Sequence, residues 1–149
     1  INVTGITMML TAQGADHTAG NVPTMDCKGK PLSELVAASL NSQINTAAAD
    51  SLGLCVFGRS VTDSSTDLVM NAINDAHGTE LDASFFVELG RQTLQLEQEF
   101  NQAAGFGIED DELPGFFYNE PLSPTGGVAG FHSQDINRIM HDFWNQNCQ

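Results

Sequence analysis

The sequence predicts an all-α fold, an irregular helical domain with long structured loops. Four segments repeat apolar residues every three or four positions, which is the spacing of one face of an α-helix. Residues typical of helix starts and stops flank these segments, and no segment alternates apolar and polar residues long enough to predict a strand. The length of 149 residues suits one hydrophobic core. We therefore expect residues 1–149 to form a single all-α domain.

The first predicted helix follows an irregular segment. Residues 11–31 contain several glycines and two prolines, which predict loop structure. Ser33 is a candidate N-cap for a helix that runs through residues 34–50. Its apolar face consists of Leu35, Leu40 and Ile44.

The second helix is predicted within residues 62–78, TDSSTDLVMNAINDAHG. Ser64 or Ser65 can cap its start, and Gly78 is a typical C-terminal stop. Its predicted apolar stripe is Leu68, Val69, Ala72, Ile73 and Ala76.

The third helix has the clearest pattern. Asp82 can cap its start and Gly105 ends it. The residues that recur at helical spacing are Phe85, Phe86, Leu89, Thr93, Leu96 and Phe100.

The last helix is predicted to open at Ser133, after an irregular stretch over residues 106–130. We expect four of its side chains to face inward, those of Ile136, Ile139, Met140 and Phe143.

Charge and cysteine content exclude several classes of protein. Nineteen acidic residues against five Lys and Arg give a formal net charge of -14, which disfavours binding to nucleic acid or to an anionic membrane surface. No apolar run approaches the roughly 20 residues that span a bilayer. The three cysteines are widely spaced and form no CxxC pair, so a reducing cytoplasm is the predicted location. The chain starts on Ile, which we take as a sign that it is part of something longer.

Two short stretches hold candidate functional residues. In DSLGLC, residues 50–55, Cys55 is either a buried structural cysteine or a metal-bound thiolate. A single cysteine cannot hold an iron–sulfur cluster, which typically needs four ligands. This stretch alone would therefore supply only part of such a site. In GADHTAG, residues 14–20, His17 is either an ordinary loop histidine or a proton donor and acceptor.

Two further stretches have a structural interpretation. The acidic run over residues 109–112 lacks the ligand spacing of an EF-hand, so a solvated turn that leads into Pro114 is the expected structure. The aromatic cluster Phe116, Phe117 and Tyr118 is expected to anchor a loop on the core. For His77, His132 and His141 we expect structural roles.

Taken together, these stretches resemble the C-terminal part of the tungsten-containing aldehyde:ferredoxin oxidoreductase family, over nearly the whole chain. GADH resembles the end of the family's RGADH loop, and DSLGLC matches its pterin-binding pattern D-x-x-G-L-C in full. Residues 76–101 are similar to the family's TGWDLTxEELLxIGERIxxLERAFN, and EDDELPGFFYNEPLSPTGG resembles its xDDxLPxRFxxEPLxxGP.

The resemblance implies specific cofactors and roles. A mononuclear tungsten or molybdenum is held by two pterins beside a [4Fe-4S] cluster, three of whose cysteines come from an earlier part of the subunit. Cys55 is then the fourth cluster ligand, and Asp50 accepts hydrogen bonds from a pterin ring. Gly53 and Leu54 bring backbone close to the cofactor, where a Cβ at Gly53 would clash.

The implied activity is oxidation of an aldehyde to a carboxylate. His17 is expected to line the pocket and assist proton transfer, and electrons pass to ferredoxin or a similar carrier. The sequence departs from the family at the Arg of L-P-x-R-F, where Phe116 or Phe117 stands. Two alternatives remain, a non-catalytic helical interaction module and a fragment that is inactive in isolation.

Overall fold

The structure, a computed structural model, describes residues 3–58 and 64–146. The helices in these ranges are α1 (Val3–Met8), α2 (Leu32–Ser51), α3 (Thr66–His77), α4 (Ala83–Ala103), α5 (Phe116–Asn119) and α6 (Ser133–Gln146). Short 3₁₀ turns lie at Val56–Gly58 and Ile108–Asp111. The only β-type pairing in these ranges is an isolated antiparallel bridge between Leu122 and Gly127. The all-α fold with long loops is confirmed.

Helix α2 is central, because it contacts α1, α4 and α6. Leu35, Leu40 and Ile44 are buried on it, as predicted. The prediction of Ser33 as N-cap was wrong. Pro31 holds the extended N-cap conformation, and its carbonyl accepts the first helical bonds, including one from Glu34 N at 3.1 Å. The helix therefore begins before Ser33.

Helix α1 has no counterpart among the predicted helices. Its six residues include Val3, Thr4, Ile6 and Thr7, whose branched side chains weaken the helical propensity. Packing compensates for this, since Val3 and Ile6 are fully buried in the core formed with α2 and α6. The Thr7 hydroxyl has two partners outside α1. Its Oγ1 lies 2.7 Å from Ser39 Oγ of α2, and it is 2.9 Å from Gly20 O, to which it can donate. Tertiary contacts thus stabilise a helix that is too short to persist alone.

The caps of α3 and α4 follow the sequence signals. Ser65 occupies the N-cap position of α3, although its side chain forms no capping hydrogen bond, and Gly78 ends the helix in the left-handed region at φ 66°. Asp82 caps α4 by accepting a hydrogen bond from Ser84 N at 2.8 Å. These local predictions are confirmed because they depend only on neighbouring residues.

The buried faces of α3 and α4 differ from the predicted stripes. On α4 the buried residues are Phe86, Gly90 and Leu94, whereas Leu96 and Phe100 are 65% and 73% exposed. On α3 the buried residue is Met70. Gly90 determines which face of α4 is buried, because its lack of a side chain lets this helix approach the α2 backbone at Ile44.

Helix α6 was predicted correctly. It begins at Ser133, Ile136 and Met140 are buried, and Ile139 and Phe143 pack against the same core. None of the helices in the described ranges combines the length and the apolar character needed to cross a membrane.

Candidate functional site

The stretch DSLGLC forms the C-terminal cap of α2. Leu54 N donates to Ala49 O at 2.9 Å, and Gly53 N donates to Asp50 O at 2.9 Å. These two bonds, with Gly53 in the left-handed region at φ 69°, define a Schellman motif. Leu54 and Ala49 belong to the same hydrophobic cluster, which is the contact that usually accompanies this motif.

This cap explains two of the residue types in the pattern, the glycine and the leucine that follows it. Glycine is favoured at position 53 because other residues are strained at positive φ. An added Cβ at Gly53 meets no described atom within 4 Å, so the requirement within the chain is conformational. Leu54 is half-buried and stabilises the cap by packing. The turn also directs the chain away from α2 immediately before Cys55.

Cys55 lies just beyond the cap and is exposed. Its carbonyl accepts a hydrogen bond from Gly58 N at 2.8 Å, which closes the following 3₁₀ turn. On that turn Phe57 is 93% exposed. The buried structural cysteine considered from the sequence is therefore excluded for Cys55. The described residues contain no group of three or more His, Cys, Asp or Glu that could hold a metal ion.

Cys27 differs from Cys55 in its surroundings. Cys27 is half-buried, packs against the main core cluster and donates to Met25 O at 3.4 Å. Cys148 lies outside the described residues. Cys27 therefore fits the structural role that Cys55 does not.

Asp50 lies on the last turn of α2, where this helix meets α4. Its side chain is exposed, and the adjacent Ser51 Oγ lies 3.2 Å from Thr93 Oγ1 of α4. This contact joins the two helices. One helical turn beyond Thr93, Glu97 lies near enough to Asp50 for their charges to repel. The end of α2 is thus held against the middle of α4.

Glu97 is an unusual residue at this junction. Its Oε2 atom is buried and has no hydrogen-bond partner among the described residues. Burial raises the pKa of Glu97, the nearby Gln13 side chain offsets part of that shift, and the charge of Asp50 raises the pKa further. The sequence patterns did not identify Glu97, because its environment depends on residues 84 and 47 positions away along the chain.

The loop that contains His17 is held by its neighbours. Asp16 Oδ1 accepts hydrogen bonds from Thr18 N at 2.7 Å and Thr18 Oγ1 at 2.8 Å, and these bonds lower the pKa of Asp16. The carbonyl of His17 accepts from Asn21 Nδ2 at 2.6 Å, while its side chain is exposed. The contacts therefore fix the backbone of the loop and leave the imidazole accessible.

The two candidate stretches are connected through α4 and not by direct contact. Asn101 Nδ2 of α4 donates to Ala12 O at 2.7 Å. Glu97, on the same helix, interacts with Gln13 by a hydrogen bond and with Asp50 through charge. No hydrogen bond or ion pair within residues 3–58 and 64–146 joins the His17 ring to Asp50 or Cys55. One face of α4 thus supports both the segment before His17 and the end of α2.

The acidic run contains a partly buried hydrogen-bond network around Glu112 that the predicted solvated turn did not include. Glu112 Oε2 accepts from Ser133 N at 3.0 Å and from Ser133 Oγ at 2.9 Å. Its Oε1 lies 3.1 Å from His132 Nδ1 and also accepts from the Tyr118 hydroxyl. Partial burial opposes ionisation of Glu112, but the hydrogen bonds from Tyr118, Ser133 and His132 outweigh it and lower the pKa to about 2. Glu112 therefore caps α6 from a distant loop.

The aromatic cluster behaves only partly as predicted. Tyr118 packs against the main core cluster and stacks on His132 at a centroid distance of 4.5 Å. Phe116 and Phe117 stack on each other at 4.4 Å but are exposed, so the prediction that they anchor the loop was wrong. The structural role expected for His132 is confirmed, and His77 lies at the end of α3 as expected. His141 pairs with Asn145 on α6.

Comparison with known proteins gave one match. Residues 1–147 match the family model described as "Aldehyde ferredoxin oxidoreductase, domains 2 & 3". No curated protein and no solved structure matched the chain significantly.

Proposed function

The chain belongs to the aldehyde ferredoxin oxidoreductase family, and on that premise we propose that it supplies one side of a cofactor and substrate site. In this proposal Asp50, Gly53 and Leu54 contact a pterin, and Cys55 is one ligand of a [4Fe-4S] cluster. His17 assists proton transfer while a small aldehyde is oxidised to a carboxylate. The remainder of the same subunit supplies the other ligands, and ferredoxin or a similar carrier accepts the electrons.

The main support for the proposal is that two side chains at the end of α2, those of Asp50 and Cys55, are accessible. Cys55 is exposed, and the Asp50 carboxylate makes no hydrogen bond to another side chain in the described part of the chain. A carboxylate is an acceptor for N–H donors such as those of a pterin ring, and a thiolate is the usual ligand of an iron–sulfur cluster. Both groups are therefore available to a ligand, and the Schellman cap holds them at one helix end.

The residues of this chain have distinct roles in the proposed site. When bound, the tungsten- or molybdenum-bispterin and the cluster supply the oxidation and the path for electrons. Asp50 orients the pterin ring by accepting its N–H groups, and Gly53 maintains the turn that separates Asp50 from Cys55. Oxidation of an aldehyde to a carboxylate releases protons, and the exposed imidazole of His17 accepts or relays them.

The proposal is tested by the metal content of the anaerobically purified full-length subunit. The Cys55→Ser variant is expected to lose the cluster, because a serine hydroxyl replaces a thiolate ligand. The Cys27→Ser variant is the matched control and is expected to retain iron, as is Cys148→Ser. Iron content and visible absorbance measure the cluster. Unchanged occupancy in Cys55→Ser would refute the assignment of this ligand.

The same preparations test the other parts of the proposal. The His17→Asn variant is expected to retain tungsten or molybdenum, pterin and iron while it loses aldehyde-dependent reduction of the electron carrier. Wild-type subunit that contains no iron, no tungsten or molybdenum and no pterin would overturn the cofactor proposal as a whole.

One observation favours the non-catalytic interaction module as a second candidate. Leu96 and Phe100 lie one turn apart on α4 and are largely exposed, and exposed apolar side chains that share a helix face are typical of contact surfaces. The interaction module predicts binding of another polypeptide without any cofactor. Because the described residues provide no three-ligand metal group, we expect the chain by itself to be inactive under either proposal.

A further inference from the structure

A cavity of about 300 Å³ lies beside the C-terminal end of α4. It is bounded by residues 10–12, by the last turns of α4, by the 3₁₀ turn Ile108–Asp111 and by α6. Ligand pockets begin at about this size. No residue proposed above to bind the pterin or the cluster lines it.

The apolar part of the wall is aromatic and aliphatic. It is formed mainly by Leu10, Phe106, Ile108, Met140 and Trp144. Phe106 is 60% exposed at the cavity. An apolar ligand in the cavity would cover part of its ring. A wall of this kind favours a ligand with an apolar body, and its aromatic rings can attract a cation.

The polar part of the wall is rich in acceptors. Four amide side chains line the cavity. Three of them donate their nitrogen to a main-chain carbonyl: Gln98 to Leu10 at 3.5 Å, Asn101 to Ala12 at 2.7 Å and Asn137 to Ser133 at 2.9 Å. Their oxygens form no hydrogen bond to another described residue. The three bonded amides therefore present their oxygens to a ligand as acceptors.

Asp111 is the charged group of this wall. Its carboxyl is half-buried, and it forms no hydrogen bond or ion pair with another residue in the described ranges. Burial raises its pKa, and the adjacent charge of Asp110 raises it further. His141 also lines the cavity, and its Nδ1 pairs with Asn145 Nδ2 at 3.0 Å. A carboxylate in such surroundings is stabilised by a cation.

We infer that this cavity binds a small organic cation with an apolar body, whose ammonium group pairs with Asp111 while its body packs against Phe106 and Trp144. The acceptor-rich wall provides further partners for the N–H groups of the ammonium. The net charge of -14 raises the local concentration of cations and opposes anions. The inference does not depend on the cofactor proposal.

Benzylammonium and its neutral counterpart benzyl alcohol distinguish charge recognition from simple apolar filling. Trp144 is the single tryptophan of the chain and lines the cavity, so its fluorescence reports binding. We expect benzylammonium to cause a saturable change, and benzyl alcohol to bind at least about tenfold more weakly. The Asp111→Asn variant should weaken benzylammonium binding about tenfold or more.

The matched control is Glu109→Gln, which removes the same charge from the same acidic run at an exposed position outside this cavity. It should change the affinity by less than about threefold, because an exposed charge contributes little. Circular dichroism verifies that each variant is folded, and ligand-observed NMR on wild-type protein gives a second measurement that needs no variant. Absence of saturable binding, equal binding of benzyl alcohol, or equal losses in the two variants would each overturn the inference.

Discussion

Replacement of Gly90 by alanine tests the packing on which the candidate site depends. Glycine in the middle of a helix normally costs about 1 kcal/mol relative to alanine. Considered as part of an isolated helix, Gly90→Ala should therefore stabilise the protein. The tertiary structure predicts the opposite sign.

The reason is the close approach of α4 to α2. A Cβ at Gly90 would lie 2.0 Å from Ile44 O and 2.8 Å from Ile44 C, both of them backbone atoms of α2. The first distance is about 1 Å shorter than Cβ atoms adopt in folded proteins. Overpacking of a core costs about 1–3 kcal/mol, and a backbone atom inside a helix cannot move aside as a flexible side chain can. We take the upper end of that range and subtract the gain in helix propensity, which leaves a net loss of about 2 kcal/mol.

Thermal unfolding followed by circular dichroism measures this loss. For a chain of this size, about 2 kcal/mol corresponds to a decrease in Tm of roughly 4–8 °C. The matched control is Gln95→Ala, at an exposed position of the same helix, which should remain within about 0.5 kcal/mol of wild type. A Tm for Gly90→Ala that equals or exceeds that of wild type would refute the close packing of α4 on α2, and with it the contact between Ser51 and Thr93 that holds the end of α2.

Two carboxylates should show opposite effects on stability. Glu112→Gln should lower the Tm at pH 7, because the depressed pKa of about 2 shows that the folded state stabilises the ionised form. The difference from wild type should shrink as the pH falls from the ordinary value of 4.5 through about 2, and a difference that is independent of pH would contradict this explanation. Glu97→Gln should raise the Tm at pH 7, because burial raises the pKa of Glu97 and ionisation destabilises the folded state. That gain should disappear as the pH falls towards 4.5, and a lower Tm at pH 7 would argue against a buried, partnerless oxygen.

Several of the features predicted correctly depend only on adjacent residues. Gly78 ends α3 and Asp82 caps α4, because each acts through hydrogen bonds or backbone angles within a few positions. Ser33 was the exception. Helix α2 begins at Leu32 with Pro31 in the N-cap position, so Ser33 already lies within its first turn.

The candidate site was only partly accessible to sequence analysis. Residues 50–55 were identified as one unit, and the structure adds that they form a helix cap with an exposed thiol. Glu97 and Glu112 were missed, because a lone glutamate carries no signal of its future partners. Both obtain their shifted pKa values from residues that folding brings near.

The sequence by itself determined the all-α class, most helix ends and the motif that relates the chain to its family, since periodicity, caps and short motifs are local properties. Only the tertiary structure decided which face of α4 is buried, that α1 is helical, and that the end of α2 and the segment before His17 share support from α4. These outcomes depend on the fit between distant surfaces. The approach of Gly90 to Ile44 is the plainest case, because a residue that weakens an isolated helix is the one that permits two helices to pack.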